Sequence, residues 1–135
     1  MSKLATAGGL AVLLGPILSY FWPKTLEEVP SEPVVVGPPD MLPVGASASV
    51  RFGRYPALVI NTEAKGLVAY SAVCTHFACI VKWNPDSGMI ECPCHAGFVD
   101  PLDGSVISGP PPTPLEEYAV FTLNGVMYVG LKDQT

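Results

Sequence analysis

Positive charge is scarce. Seven lysines and arginines stand against twelve aspartates and glutamates in 135 residues, giving a net charge of −5. They never gather into a basic stretch that could neutralise a run of phosphates, so nucleic acid is excluded as a partner. Charge of either sign is missing between Leu4 and Trp22. No alternation of strand and helix patterns suggests a nucleotide-binding fold, and there is no internal repeat. Histidine occurs twice and cysteine four times, and all six residues fall between Cys74 and His95. Chance or core placement gives no reason for such clustering, which calls for metal or redox chemistry. The length leaves room for one small domain with accessories.

The uncharged run from Leu4 to Trp22 would extend roughly 28 Å as a helix, about the thickness of a hydrocarbon core. Gly8, Gly9, Gly15 and Pro16 are tolerated in bilayer helices, and Tyr20, Phe21 and Trp22 stand where an interfacial aromatic belt would be. A cleaved signal peptide is the competing reading, but no small-x-small site follows Leu18. Residues 1–22 are therefore expected to be one retained transmembrane helix. Lys3 and Lys24 balance across it and leave its orientation open.

Residues 23–43 contain six prolines and four acidic residues, a composition suited to a semi-rigid tether reaching roughly 65 Å. The alternative is an arm lying on the domain, with Val34, Val35 and Val36 paired to a sheet edge. From residue 44 to residue 135 the pattern is short and β-like. Strands are expected at Ala48–Phe52, Ala57–Asn61, Leu67–Val73, Ile80–Trp83, Met89–Glu91, Tyr118–Leu123 and Val126–Leu131. Asn124 and Gly125 between the last two suit a type I′ hairpin turn, because both tolerate positive φ. The fold class expected is all-β, an antiparallel sandwich or small barrel.

The donors form two short pairs, Cys74-x-His76 and Cys92-x-x-His95, separated by fifteen residues. Two thiolates and two imidazoles suit two irons of different character with sulfide between them. Cys79 and Cys94 remain, one in each pair's loop. They can form a disulfide if the loops face each other with Cα atoms within about 7 Å. A structural zinc site using the cysteines is the alternative, although Cys92-x-Cys94 would be unusually close and both histidines would be surplus.

Cys74-Thr75-His76-Phe77-Ala78-Cys79 and Cys92-Pro93-Cys94-His95 resemble the two cluster-binding boxes of Rieske iron-sulfur proteins from cytochrome bc complexes. Gly109-Pro110-Pro111-Pro112 resembles their proline loop. The resemblance covers about Val44 to Leu131 and implies a Rieske-like domain with a cluster-binding subdomain holding a 2Fe-2S cluster. Cys74 and Cys92 would bind one iron and His76 and His95 the other; Cys79 and Cys94 would form a disulfide; Gly109 to Pro112 would shield the cluster from water. Because a disulfide persists only in an oxidising compartment, the domain would lie on the periplasmic or lumenal side of the membrane.

The resemblance further implies an electron-transfer subunit of a quinol:cytochrome c, or similar, oxidoreductase. It would not be catalytic alone, and it would sit in a dimeric multisubunit complex with a cytochrome b. His95 would meet the quinol with His76 nearby, one electron and a proton being taken and the electron passed to a c-type haem. The tether would let the head swing between the two. In the family the second box usually continues with glycine, serine and, two residues later, tyrosine, whose hydroxyls donate to cluster sulfur and a ligand cysteine. Ala96, Gly97 and Val99 stand there, so a lowered potential and a menaquinol-like substrate are expected. Ala78 and Phe77 replace the usual glycine and leucine of the first box. The rival functions are the small Rieske subunit of a periplasmic oxidase and, more distantly, a structural zinc domain.

Overall fold

The computed structural model describes residues 2–22 and 28–133, with side chains in the first helix described from Val12. Part of the expected tether, residues 23–27, lies outside the described residues, as do residues 1, 134 and 135. Helix α1 (Ser2–Phe21) carries Pro16 inside it. Its final aromatics Tyr20 and Phe21 are exposed, as is Trp22 just beyond. Among the described residues, no helix is long and apolar enough to cross a membrane.

Beyond the helix the chain is built from short strands: β1 (Val34–Gly37), β2 (Ser47–Phe52), β3 (Tyr55–Thr62), β4 (Gly66–Ser71), β5 (Lys82–Asn84), β6 (Met89–Cys92), β7 (Gly97–Val99), β8 (Val106–Ser108), β9 (Glu117–Leu123) and β10 (Val126–Gly130). They form a six-stranded sheet in the order β1-β10-β9-β4-β3-β2 and a four-stranded sheet in the order β5-β6-β7-β8. Val34 and Val36 of β1 and Ala48 and Val50 of β2 come from opposite ends of the larger sheet. They pack on the same core around Phe52, Met127 and Val129, so that sheet curls into a nearly closed barrel.

The hydrophobic runs in β3 and β4 explain how the two sheets join. Side chains alternate between faces along a strand, and an unbroken apolar run means that both faces are covered. Ala57, Val59 and Ala69 turn into the barrel. Leu58, Ile60, Val68 and Tyr70 turn outward against Val81 and against Ile90 and Val99 of the smaller sheet. The register opposes Leu58 to Tyr70 and Ile60 to Val68, so each face is continuous across the pair. This shared wall holds the barrel and the smaller subdomain together.

Trp83 pins the junction from the other side. Its Nε1 donates 2.7 Å to the Gly45 carbonyl, and its ring packs against the outer core. Trp83→Phe keeps an aromatic ring against the core but removes the bond and part of the contact, so a loss of about 1–3 kcal/mol is expected, read as a lower urea midpoint at unchanged slope.

Asn124 (φ 50) and Gly125 (φ 76) turn the β9–β10 hairpin as expected. Of the two readings of Val34–Val36, the sheet-edge one is found: Val34 opposes Val129 and Val35 opposes Tyr128. The sheet thus begins inside the proline-rich stretch. Ile80 makes only an isolated bridge to Val73, and its strand starts at Lys82. Strands β7 and β8 were not foreseen. At three residues each they are too short to show a period.

Candidate metal centre

Three loops of the smaller subdomain converge. The first follows β4 and carries Cys74 to Cys79; the second leaves β6 at Cys92 and enters β7 at Gly97; the third, Gly109 to Pro114, leads from β8 towards β9. Within the first, the amide of Cys74 donates to the Cys79 carbonyl (2.7 Å) and that of Ala78 to the Cys74 carbonyl (3.1 Å), closing a tight turn. Ala78 (φ 51) and Ala96 (φ 50) both adopt the left-handed conformation, which costs an alanine about 1 kcal/mol. Each loop thus reverses just past its histidine on a strained residue.

The donors separate by kind. Cys74 and Cys92 are the free cysteines, both 3 % exposed and set into the outer core. Burial pushes the Cys74 thiol up, the backbone amide of His76 opposes this, and the adjacent Cys92, in side-chain hydrogen-bond contact, raises it further. His76 and His95 lie outward, with ring centroids 5.0 Å apart. His95 is exposed and His76 half-buried. Phe77, 70 % exposed, stands 4.3 Å from the His76 ring and 5.8 Å from that of His95. Cys79 and Cys94 form a disulfide with Cα atoms 6.6 Å apart, tying the first loop to the second.

These residues fit a two-iron cluster. The Nδ1 of His76 is the buried side-chain polar atom left without a hydrogen-bond partner among the described residues. Such an atom costs about 1–3 kcal/mol unless something else satisfies it, and an imidazole nitrogen is a ready iron ligand. Two inward thiols and two outward imidazoles supply one soft and one nitrogenous donor pair, side by side. The sulfurs of Cys79, Cys92 and Cys94 also lie within 4.8 Å of one another. Two of those are joined in the disulfide, so a zinc site built on them lacks its thiolates.

The proline loop is seated more closely than its sequence suggests. Pro110 and Pro112 are exposed, whereas Pro111 is buried. A Cβ on Gly97 would lie 3.0 and 3.1 Å from the Pro111 ring and 3.4 Å from the Cys92 Cβ. One on Gly109 (φ +98) would come 2.6 Å from the Gly97 Cα and 2.9 Å from the Ala96 carbonyl oxygen. Backbone therefore rests on backbone here. The Thr75 hydroxyl donates 2.8 Å to the Thr113 carbonyl, fastening the same loop to the first box. Sequence reasoning singled out Gly109 but missed its pairing with Gly97, and it missed Thr75. The signal was a glycine at the end of each of two converging loops. Gly109→Ala is expected to unseat the proline loop at a cost of about 2–3 kcal/mol, seen as a lower thermal midpoint and faster bleaching of the visible absorption.

The Rieske [2Fe-2S] domain family matches residues 32–119. A cytochrome b6-f complex iron-sulfur subunit of Chlorobaculum tepidum is 36 % identical over 118 residues, covering 87 % of this chain and 64 % of that protein. A menaquinol:cytochrome c reductase iron-sulfur subunit of Geobacillus thermodenitrificans is 38 % identical over 78 residues, 55 % of this chain and 46 % of that one. The chain thus spans less than two thirds of the length of these curated relatives. Among solved structures, the ferredoxin of carbazole 1,9a-dioxygenase from Nocardioides aromaticivorans superposes with a TM-score of 0.62 at 26 % identity, over 76 % of this chain and 100 % of that one. With the fold, the paired donors and the disulfide in place, the chain belongs to the Rieske [2Fe-2S] domain family, whose cofactor is a two-iron, two-sulfur cluster.

Proposed function

We propose that the chain is the electron-transfer subunit of a quinol-oxidising cytochrome bc-type complex, with Cys74 and Cys92 holding one iron and His76 and His95 the other. The observation that carries this reading is the polarity of the site: thiols buried in the core, imidazoles at an exposed tip beside Phe77. When bound, the cluster supplies a one-electron couple. His95, exposed at the tip, is placed to meet a quinol hydroxyl and take its proton. Phe77 offers an apolar face for the quinone ring or the surrounding cytochrome b wall. Pro111, buried over Gly97, keeps water from the cysteine side.

The anchor belongs to the same reading. No helix among the described residues is long and apolar enough to cross a membrane, so the case for a transmembrane segment rests on the sequence: the run from Leu4 to Trp22 is uncharged and ends in three aromatics, which suits a membrane anchor. The disulfide suits a head on the oxidising side. With β1 paired into the sheet, any swing of the head would hinge on the chain before Val34 rather than on the whole proline-rich stretch.

Gly97 and Val99 offer no hydroxyl to the centre, so the reduced state is less stabilised and a low-potential quinol is the expected donor. Known Rieske centres span roughly −150 to +300 mV. A potentiometric EPR titration of the native complex, with its haem spectrum, tests both parts. The expected result is co-purifying b-type haem and a midpoint in the lower half of that span. A complex without b-type haem would favour a periplasmic oxidase subunit, and a midpoint among the serine-and-tyrosine members would remove the case for a menaquinol-like donor.

A further inference from the structure

The sulfur chemistry of the site extends beyond its two pairs. Cys92 is a free thiol whose Sγ lies within 4.8 Å of both sulfurs of the Cys79–Cys94 disulfide. A sulfur–sulfur bond is about 2.05 Å long, so a rotation of one side chain by about 3 Å separates the present pairing from a different one. We infer that, in the chain without its cluster, Cys92 exchanges with this disulfide: its sulfur attacks Sγ of Cys79, the Cys79–Cys94 bond breaks, and Cys94 leaves as the free thiol. The inference rests on Cys92 being an iron ligand, as proposed above.

The atoms balance without any oxidant. One S–S bond forms and one breaks; the proton lost from Cys92 to solvent is matched by one taken up at Cys94. Direction is set by surroundings. Cys92 is buried, Cys79 half-buried and Cys94 exposed, so release of Cys94 places the departing sulfur in water, where a thiolate is best solvated. Attack on Cys94 instead would expel the less exposed Cys79 and close a bond across a single intervening residue.

The consequence is a chain that cannot take up its cluster, because one of its four donors is locked in a bond. Iron bound to Cys92 withholds the attacking sulfur. The cluster therefore protects the pairing that clamps it, and the disulfide is secure only in the loaded protein.

The test uses the full chain in detergent, with cluster and after removal of iron by a chelator under non-reducing conditions at neutral pH. Free thiols are alkylated with iodoacetamide under denaturing conditions and disulfide-linked peptides are mapped by mass spectrometry. In the cluster-free chain the expected products are a Cys79–Cys92 linkage and alkylated Cys94; in the loaded chain, quenched in acid, they are the Cys79–Cys94 linkage with Cys74 and Cys92 alkylated. A Cys92→Ala chain should keep the Cys79–Cys94 linkage throughout. Persistence of Cys79–Cys94 as the main linkage in the cluster-free chain, or a Cys74–Cys92 linkage in its place, would overturn the inference and leave the ligand assignment standing. Rapid alkylation of Cys92 in the native loaded chain would overturn the assignment itself and the protection with it.

Discussion

His76→Leu is expected to abolish iron retention while making the cluster-free chain more stable. The two effects have opposite signs for one reason. The Nδ1 of His76 is buried without a partner, so in the absence of iron it carries a desolvation cost of about 1–3 kcal/mol with nothing to offset it. Leucine fills a similar volume with no polar atom, and about 1 kcal/mol of that cost should return as a higher denaturation midpoint. Iron content per chain should fall from two to near zero, because the remaining nitrogen donor, His95, is exposed and cannot hold an iron alone. A residue that merely packs the loop would behave differently: its loss would lower the midpoint and leave iron bound. Measuring iron by colorimetry and stability by urea titration on the same preparations separates the cases. Retention of both irons would remove His76 from the ligand set.

The residues proposed as donors stood out because a metal centre uses rare residues at fixed short spacings, and the two boxes contain every cysteine and histidine in the chain. The β9–β10 hairpin was legible for a comparable reason, since Asn124-Gly125 is one of few dipeptides able to hold φ of 50° and 76° in succession. What escaped was set by tertiary contact. Leu58 and Val59 look alike in the sequence, yet one faces the cluster subdomain and the other the barrel. The hydrophobic run said only that both sides were covered. Gly97 looked like a lost hydroxyl, whereas the structure gives it a positive role: a side chain there would meet Pro111 at 3.0 Å. Restoring serine at position 97 would therefore press on the proline loop before it could donate to the centre. Ala78 looked like a departure from pattern, and its φ of 51° shows where that departure is felt. Orientation of the first helix is set by nothing in the local pattern.

Replacing Cys79 and Cys94 together by serine is expected to lower the stability of the loaded chain by about 3 kcal/mol, the loop-closure value for a bridge spanning about 15 residues. The loss should not fall evenly. Cys74 and Cys92 are embedded in the core shared with Leu58, Ile60 and Tyr70, and packing holds them whether or not the bridge exists. His95 has no such support, since Pro93, Cys94, His95 and Ala96 are all exposed. The disulfide is what ties that outer turn to the first loop. The double variant should therefore fold, with the Trp83–Gly45 junction intact and tryptophan fluorescence unchanged, while its cluster is lost from the histidine side. Cluster release followed by visible absorbance should quicken well before the barrel unfolds. An unchanged release rate would mean that the iron holds the two loops together without help from the bridge.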